Sequence, residues 1–530
     1  MKENINFIFG LLNKKKMAVC LFIEAFLDFI YYVIPYTFAL FLTMPFTVEK
    51  AIIVASIFIA SKSIRCFVLY LERKVMDNYL YEYANIQYLE YYKRLTKVPV
   101  ESLSKYQTGY LESIIEKISV LVKKILSAEY IGIILSFGFF FYTVFNQSKI
   151  LFLISLLLSI ICVLESIYIL KKSNKNVEEL YDKEYEYSSV YQDFISNIRT
   201  VKALNDNKHF ENIIKKEGNE CYEKQKEYVK RYSLEEFIRN VLIIIPFALA
   251  IIKGVYDLSN GIDTLGVITF YISIYLEMGF IFDQLSGTIV NCFELNALRK
   301  KCVQLFNKLD NRKILDTFDV IKLNNIKLRY KESNFDIIVK NMTINKNDKL
   351  SITGKSGQGK TSIINLILGN ISTYEGSVMI DDYDLKECRL DIGVVSQEIE
   401  LFNMSIKDNL CLDRKMTNEE IIKYIRELEL DEILLFNDGI NTIVGEKGLK
   451  LSTGQKRRIN ILRSYLMNKD IYILDEPTSN LDAHTEEIVV NFILKYFRDK
   501  TLIIATHNDK INEICNKFYR FEKHKLVEMC

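Results

Sequence analysis

The residues Gly354-Lys355-Ser356-Gly357-Gln358-Gly359-Lys360-Thr361 follow an apolar run, Lys349–Thr353, and precede a helix-forming segment, 362–368. Glycines at 354, 357 and 359 let successive backbone N–H groups converge on one anion. A helix N-terminus behind them adds the positive end of its dipole. The spacing is GxxxxGK[ST], the phosphate loop of nucleotide-binding proteins. Lys360 neutralises the outer phosphates, Thr361 ligates magnesium, and Ser356, Gln358 and Ser362 belong to the same cradle. The chemistry expected is binding and hydrolysis of ATP with Mg2+.

A second apolar run, 470–474, ends in Asp475-Glu476. Carboxylates at the end of a parallel strand stand where ligands bind in open α/β sheets. Asp475 suits the magnesium shell, and Glu476 suits orienting or deprotonating the attacking water. Read alone, the pair could equally be a solvated strand end. A third run, Thr501–Ala505, ends in Thr506-His507. A lone histidine is more often structural than catalytic, so His507 takes its meaning from the set. Between the phosphate loop and Asp475 lies Leu451-Ser452-Thr453-Gly454-Gln455, opening a helical stretch at 456–467. This is a second anion-binding helix N-terminus. One phosphate loop has no use for it. A dimer sandwiching nucleotide between facing subunits has.

These residues need an α/β domain to hold them, and 311–530 reads as one, with short Ile/Val/Leu runs alternating with helical stretches. Residues 1–310 read differently. A bilayer core of about 30 Å needs about 20 apolar residues in a helix. Six stretches qualify: 17–42, 51–70, 128–145, 150–170, 237–255 and 264–289. Lys14, Lys15, Lys16 and the long basic segments 71–127 and 171–236 lie on one side of these spans, which makes that side, and both termini, the inner one. The two segments should form long helices whose chains reverse near 98–109 and 196–207. The fold class expected is an all-α six-helix transmembrane domain fused to an α/β P-loop ATPase domain. Charge supports no grip on nucleic acid, since 69 Lys+Arg against 67 Asp+Glu leave +2. Ten cysteines without a CxxC pair fit a reduced compartment.

The last ~215 residues resemble the nucleotide-binding domain of the ATP-binding cassette (ABC) family, with its motifs in order. Residues 354–361 match Walker A, and Gln397 matches the Q-loop. Residues 451–455 match the signature motif, Asp475-Glu476 Walker B and its catalytic glutamate, Asp482 the D-loop, and His507 the switch histidine. Tyr330 fits the aromatic that stacks on adenine. The resemblance implies that Lys360, Glu476 and His507 serve catalysis, and that Thr361, Gln397 and Asp475 hold magnesium. It implies that Ser452, Thr453, Gly454, Gln455 and Asp482 meet the nucleotide of a second subunit, with a homodimer favoured. Thr453 departs from the family's usual glycine, and its extra bulk is expected to slow turnover. Six spans ahead of one cassette resemble the type I exporter arrangement of bacterial peptide and multidrug exporters. There, residues 95–111 and 197–202 would be coupling regions and Glu446 would face them. The resemblance places the chain in a bacterial cell membrane, multi-pass, with the ATPase domain inside.

Charged residues within spans mark pathways or pairs. Glu24 and Asp28 share a face of the first span, and Glu277 and Gln284 share one on the sixth. Counting these three acids with Glu165 against Lys62 and Arg65 gives four to two. That excess points to a cavity for a cationic or amphipathic cargo such as a peptide. The alternative is a drug or lipid exporter whose acids pair with Lys62 or Arg65. More remote is an ATP-regulated channel or sensor. Only 16 residues precede the first span, so a leader-cutting protease domain is not expected.

Overall fold

The computed structural model describes residues 15, 18, 19, 22 and 47–529, apart from 104–107, 127–129, 263–264, 307–308, 330–334, 413 and 507. The chain divides into two compact units: 1–98 with 102–309, and 99–101 with 310–530.

The first unit is helical. Its main helices are α1 (Val48–Leu95), α3 (Thr108–Leu126), α4 (Tyr130–Gln147), α5 (Lys149–Ser196), α7 (Asn207–Ser259) and α8 (Leu265–Phe306), with short α6 (Ile198–Leu204) between α5 and α7, while the residues of short α2 (Val100–Leu103) are divided between the two units. With 48 and 53 residues, α5 and α7 run about 70–80 Å, over twice a bilayer core. Their reversal falls at Asn197, α6 and Asp206, whose carboxylate caps α7 by accepting from His209 N–H. The first reversal lies between α1 and α3, around α2.

Among the described residues, two helices carry stretches long and apolar enough to cross a membrane: residues Lys149–Tyr168 and a segment of α7. On α5, Ile150, Leu153, Leu157 and Leu164 are exposed, and their spacings of 3, 4 and 7 give one outward apolar face. The opposite face, Leu151, Ser155, Ser159, Cys162 and Ser166, is buried. Small hydroxyl residues there let neighbouring helices approach and bond. Ser155 Oγ lies 2.8 Å from Tyr275 Oη on α8. The expected span 17–42, with Glu24 and Asp28, lies almost wholly outside the described residues.

Away from the apolar stretches, this unit has a second core rich in tyrosine. Tyr79, Tyr83, Tyr91, Tyr181 and Tyr185 pack with Ile118, Val122 and Leu298. Tyrosine suits a core only where its hydroxyl finds a partner. Glu294 supplies one by accepting from Tyr181 and Tyr228 at 3.2 and 2.8 Å.

The second unit is built on a ten-stranded mixed sheet, ordered β6-β5-β2-β3-β12-β11-β4-β10-β9-β8. Its strands are β1 (Lys313–Leu315, outside this sheet), β2 (Val320–Arg329), β3 (Asp336–Asn345), β4 (Lys349–Thr353), β5 (Glu375–Ile380), β6 (Tyr383–Asp384), β7 (Cys388–Leu390, paired with β1), β8 (Gly393–Val395), β9 (Ile471–Asp475), β10 (Thr501–Ala505), β11 (Lys517–Glu522) and β12 (Lys525–Met529). The run β11-β4-β10-β9-β8 is parallel throughout. Every residue of β9 and β10 is buried, as expected for strands covered on both faces. Helices α9 (Lys360–Ile367), α10 (Ile406–Cys411), α11 (Asn418–Glu427), α12 (Thr453–Leu466), α13 (Ala483–Tyr496) and α14 (Asp509–Asn512) complete the unit. Two of them start earlier than the sequence suggested. Gly359 is the N-cap of α9, so Lys360 and Thr361 are already helical, and Ser452 caps α12, so Thr453 is its first residue.

Candidate functional site

The loops that carry the chemistry all leave the C-terminal ends of adjacent parallel strands. The phosphate loop follows β4, Asp475 ends β9, position 507 follows β10 and Gln397 follows β8. In open α/β sheets the ligand binds in the crevice outside the carboxyl ends of the strands, which is this edge.

Two glycines of the loop are compelled. Gly354 has φ +151° and Gly359 φ +120°, and a Cβ would come within 2.7 Å of Phe521 and 2.9 Å of Ile337 respectively. Only glycine tolerates both the backbone angle and the contact. Gln358 folds across the loop, its side-chain oxygen accepting from Lys355 N–H at 3.0 Å. Ser356 and Gly357 are exposed at the loop's crest, with Ser362 part-buried in the helix behind.

Lys360 is 8% exposed and donates to the Gly354 carbonyl at 2.7 Å, with Glu476 Oε1 3.8 Å away. Glu476 has φ +49°, uncommon for a non-glycine residue, and its N–H bonds Ala505 O at 2.8 Å. Strain of this kind collects at functional positions. Gln397 Nε2 donates to Glu476 Oε2 at 3.2 Å. The structure thus brings Lys360, Gln397 and Glu476 together.

Asp475 is 6% exposed. Burial pushes its pKa up, the adjacent Glu476 adds to this, and Lys360, the Thr361 hydroxyl and Arg457 pull it back. A buried carboxylate bonded to a hydroxyl supplies hard oxygens, and Gln397, whose amide nitrogen donates to the adjacent Glu476, carries one more in its amide carbonyl. Mg2+ takes one or two such protein ligands and keeps waters and phosphate oxygens for the rest. The residues therefore fit magnesium, which when bound would screen phosphate charge. Thr361, Asp475 and Gln397 would hold it.

Ser452 and Gln455 form a capping box at the start of α12, at 3.2 and 2.9 Å. Gln455 Nε2 also donates to Glu432 at 2.6 Å, a partner the sequence reading did not name. Thr453 is exposed and Gly454 part-buried. Asp482 caps α13, accepting from Thr485 N–H at 3.0 Å and its hydroxyl at 2.7 Å. Glu446 is exposed on a turn. Tyr330 and His507 lie outside the described residues.

In the first unit, Gln284 is part-buried on α8, and Glu277 lies on the same helix at a position whose side chain is not described. The charge count needs correcting. The expected spans also contain Glu129, Asp283, Arg239 and Lys253, making six acids against four bases. The excess is unchanged, but its arrangement is new. Arg239, 2% exposed, bonds both oxygens of buried Glu235 at 2.9 and 2.8 Å and reaches Asp283 at 2.7 Å. Ser166 and Ser286 also donate to Glu235. One ionic cluster thereby ties α5, α7 and α8. Glu165 stays outside it: both its oxygens are buried without a hydrogen-bond partner among the described residues. The sequence reading began the fifth span at Phe237, which cut the Glu235–Arg239 pair in two.

A phosphate loop, a buried aspartate with its glutamate, and a Q-loop amide on one sheet edge define a P-loop ATPase domain, here on a chain whose other unit is a bundle of long helices. Family models agree with both parts: "ABC transporter" matches residues 339–479 and "ABC transporter transmembrane region" residues 17–281, half the chain. The chain belongs to the ABC transporter family. It is 26% identical over 374 residues to an ABC transporter B family member 1 of Dictyostelium discoideum, covering 68% of this chain and 41% of the relative. It is 33% identical over 216 residues to a Staphylococcus aureus protein named for multidrug export, covering 39% of this chain and 37% of that one. The chain thus spans about two fifths of the length of these relatives. A solved structure of a bacterial Atm1-family ABC exporter with ATP bound shares the fold. Its TM-score is 0.83 at 19% identity, over 97% of this chain and 93% of that one.

Proposed function

We propose that the chain is an ATP-hydrolysing exporter subunit that works as a dimer, homodimer favoured, in a bacterial cell membrane with both termini and the ATPase unit inside. The observation that carries this reading is the meeting of Lys360, Gln397 and Glu476 at the ends of β4, β8 and β9, beside buried Asp475. Glu476 accepts or orients the proton of the attacking water, and Lys360 stabilises charge on the transferred phosphoryl group. His507 would contact the outer phosphate and Tyr330 would stack on adenine. Ser452, Thr453 and Gly454 open a helix at an exposed edge, which suits contact with nucleotide held by a second subunit. ATP favours the closed pair of cassettes and hydrolysis releases it, a population shift driven by differential affinity.

The cargo we favour is a cationic, amphipathic peptide. The support is the excess of acids in the spans, including Glu24, Asp28, Glu277 and Glu165, whose oxygens have no hydrogen-bond partner among the described residues. A multidrug or lipid cargo is the second reading, and the name of the Staphylococcus aureus relative, a multidrug export protein, favours its multidrug form. The test is ATPase activity in lipid nanodiscs with panels of cationic peptides, dyes and lipids. Stimulation by peptide that vanishes in Glu24→Gln/Glu277→Gln supports the first reading. Stimulation by dyes or lipids, unchanged in that variant, replaces it with the second.

A further inference from the structure

Arg457 lies in the second turn of α12 and is 3% exposed. Its guanidinium spans two loops that belong to different strands. Nη1 donates to Ser396 O at 2.9 Å, and Nη2 donates to Gln397 O at 3.0 Å and Ser479 Oγ at 3.1 Å. Nε has no partner among the described residues. Ser396 and Gln397 follow β8, and Ser479 lies three residues beyond Glu476, which follows β9. The two strands are paired in parallel. One side chain therefore clasps the two loops whose tips, Gln397 and Glu476, touch at 3.2 Å.

Its charge matters as well as its reach. Burial weakens the guanidinium's hold on its proton, and the nearby Glu476 and Asp475 strengthen it. Arginine stays charged at any pH a protein survives. A fixed buried cation thus acts electrostatically on two adjacent carboxylates, Asp475 and Glu476, whose like charges oppose each other. A lysine would carry the charge but could not fork to two carbonyls and a hydroxyl.

We propose that Arg457 is a positioning residue of the ATPase site, fixing Gln397 and the Ser479 loop relative to Glu476 and offsetting the repulsion between Asp475 and Glu476. This rests on the ATPase reading above. It adds a residue that acts through its neighbours and does not touch nucleotide.

The experiment uses the full chain in nanodiscs, comparing unchanged protein with Arg457→Gln, Arg457→Lys and Glu476→Gln. Two readouts separate the clasp from the ATPase reading. The first is backbone hydrogen exchange at 396–399 and 478–481 without nucleotide. Arg457→Gln should speed exchange in both loops by about tenfold or more, since it releases both from one anchor. The second is steady-state ATP hydrolysis. Arg457→Gln should lower kcat about 10–100-fold with KM for ATP within about threefold, and Arg457→Lys should recover part of the loss. Adding Gln397→Ala to Arg457→Gln should cost little more, because both act through one contact. Unchanged exchange in both loops overturns the proposal, and so does a kcat within twofold of the unchanged protein. A KM rise that accounts for the whole loss overturns it too, because it makes Arg457 a nucleotide contact. An inactive unchanged protein would count against the ATPase reading alone, and the exchange result would still decide the clasp. If Arg457→Gln does not fold, Arg457→Lys decides alone: faster loop exchange supports the clasp, and unchanged exchange with full kcat overturns it.

Discussion

Glu476 combines a positive φ, a fixed backbone bond to Ala505 and a side chain held by Gln397 and Lys360. Replacing it with glutamine keeps the shape and removes the proton acceptor. ATP hydrolysis should fall about 10²–10⁴-fold, the usual contribution of such a group, while filter binding still detects bound ATP. Thr453 stands exposed at the first position of α12. Its effect is therefore expected only where a second subunit approaches. Thr453→Gly should raise kcat about threefold, under 1 kcal/mol of barrier, measured against unchanged protein under saturating ATP. These residues were legible because the phosphate loop and the acidic pair are local: a few consecutive residues carry the whole geometry. Arg457 and Glu432 were not legible. Their partners are 60 and 23 residues away in sequence, and only packing brings them together.

At the scale of elements, the strands that carry the loop are pinned by Asp348. Its carboxylate accepts from Asn345 N–H, Lys517 Nζ and Asn516 Nδ2 at 2.7, 2.7 and 3.0 Å, joining the β3–β4 turn to β11. Burial pushes its pKa up, but Lys517, the Asn345 backbone and Asn516 outweigh that and hold it below the usual carboxylate range. A carboxylate depressed in the folded state stabilises above its unfolded value, near ~3.9, and loses that contribution as pH falls through the folded value. Asp348→Asn should lower stability by about 1–3 kcal/mol at neutral pH. The gap from unchanged protein should shrink below pH ~4, which a series of thermal melts would show. In the helical unit, the Arg239 cluster is a buried ion pair whose halves depend on each other. Arg239→Met leaves Glu235 buried and unpaired, at about 3–5 kcal/mol. Adding Glu235→Gln should restore part of that loss in thermal melts in detergent. The long helices and their reversals followed from composition and apolar length. The cluster did not, because span boundaries drawn by hydropathy divided it, and its third member sits on another helix.

For the whole molecule, the two-part plan was readable: long helices first, then an α/β unit whose parallel strands deliver the site. The mixed sheet order was less so, because β2, β3 and β5 pair through contacts that no local pattern encodes. The central claim concerns two chains rather than one, since the signature residues that open α12 are proposed to serve the partner's nucleotide. Mixing two disabled variants tests this most directly. Lys360→Ala removes a chain's own phosphate-binding cation, and Ser452→Glu puts a like charge where the partner's phosphates would lie. In a mixed dimer, one site keeps both its phosphate loop and its signature helix. ATPase activity in nanodiscs should be near zero for each variant alone and return when they are co-assembled, at up to about a quarter of the unchanged rate if half the dimers are mixed and the two sites act independently. A Ser452→Glu variant that alone hydrolyses ATP at the unchanged rate would contradict the shared site, as would a mixture that stays inactive while unchanged protein turns over.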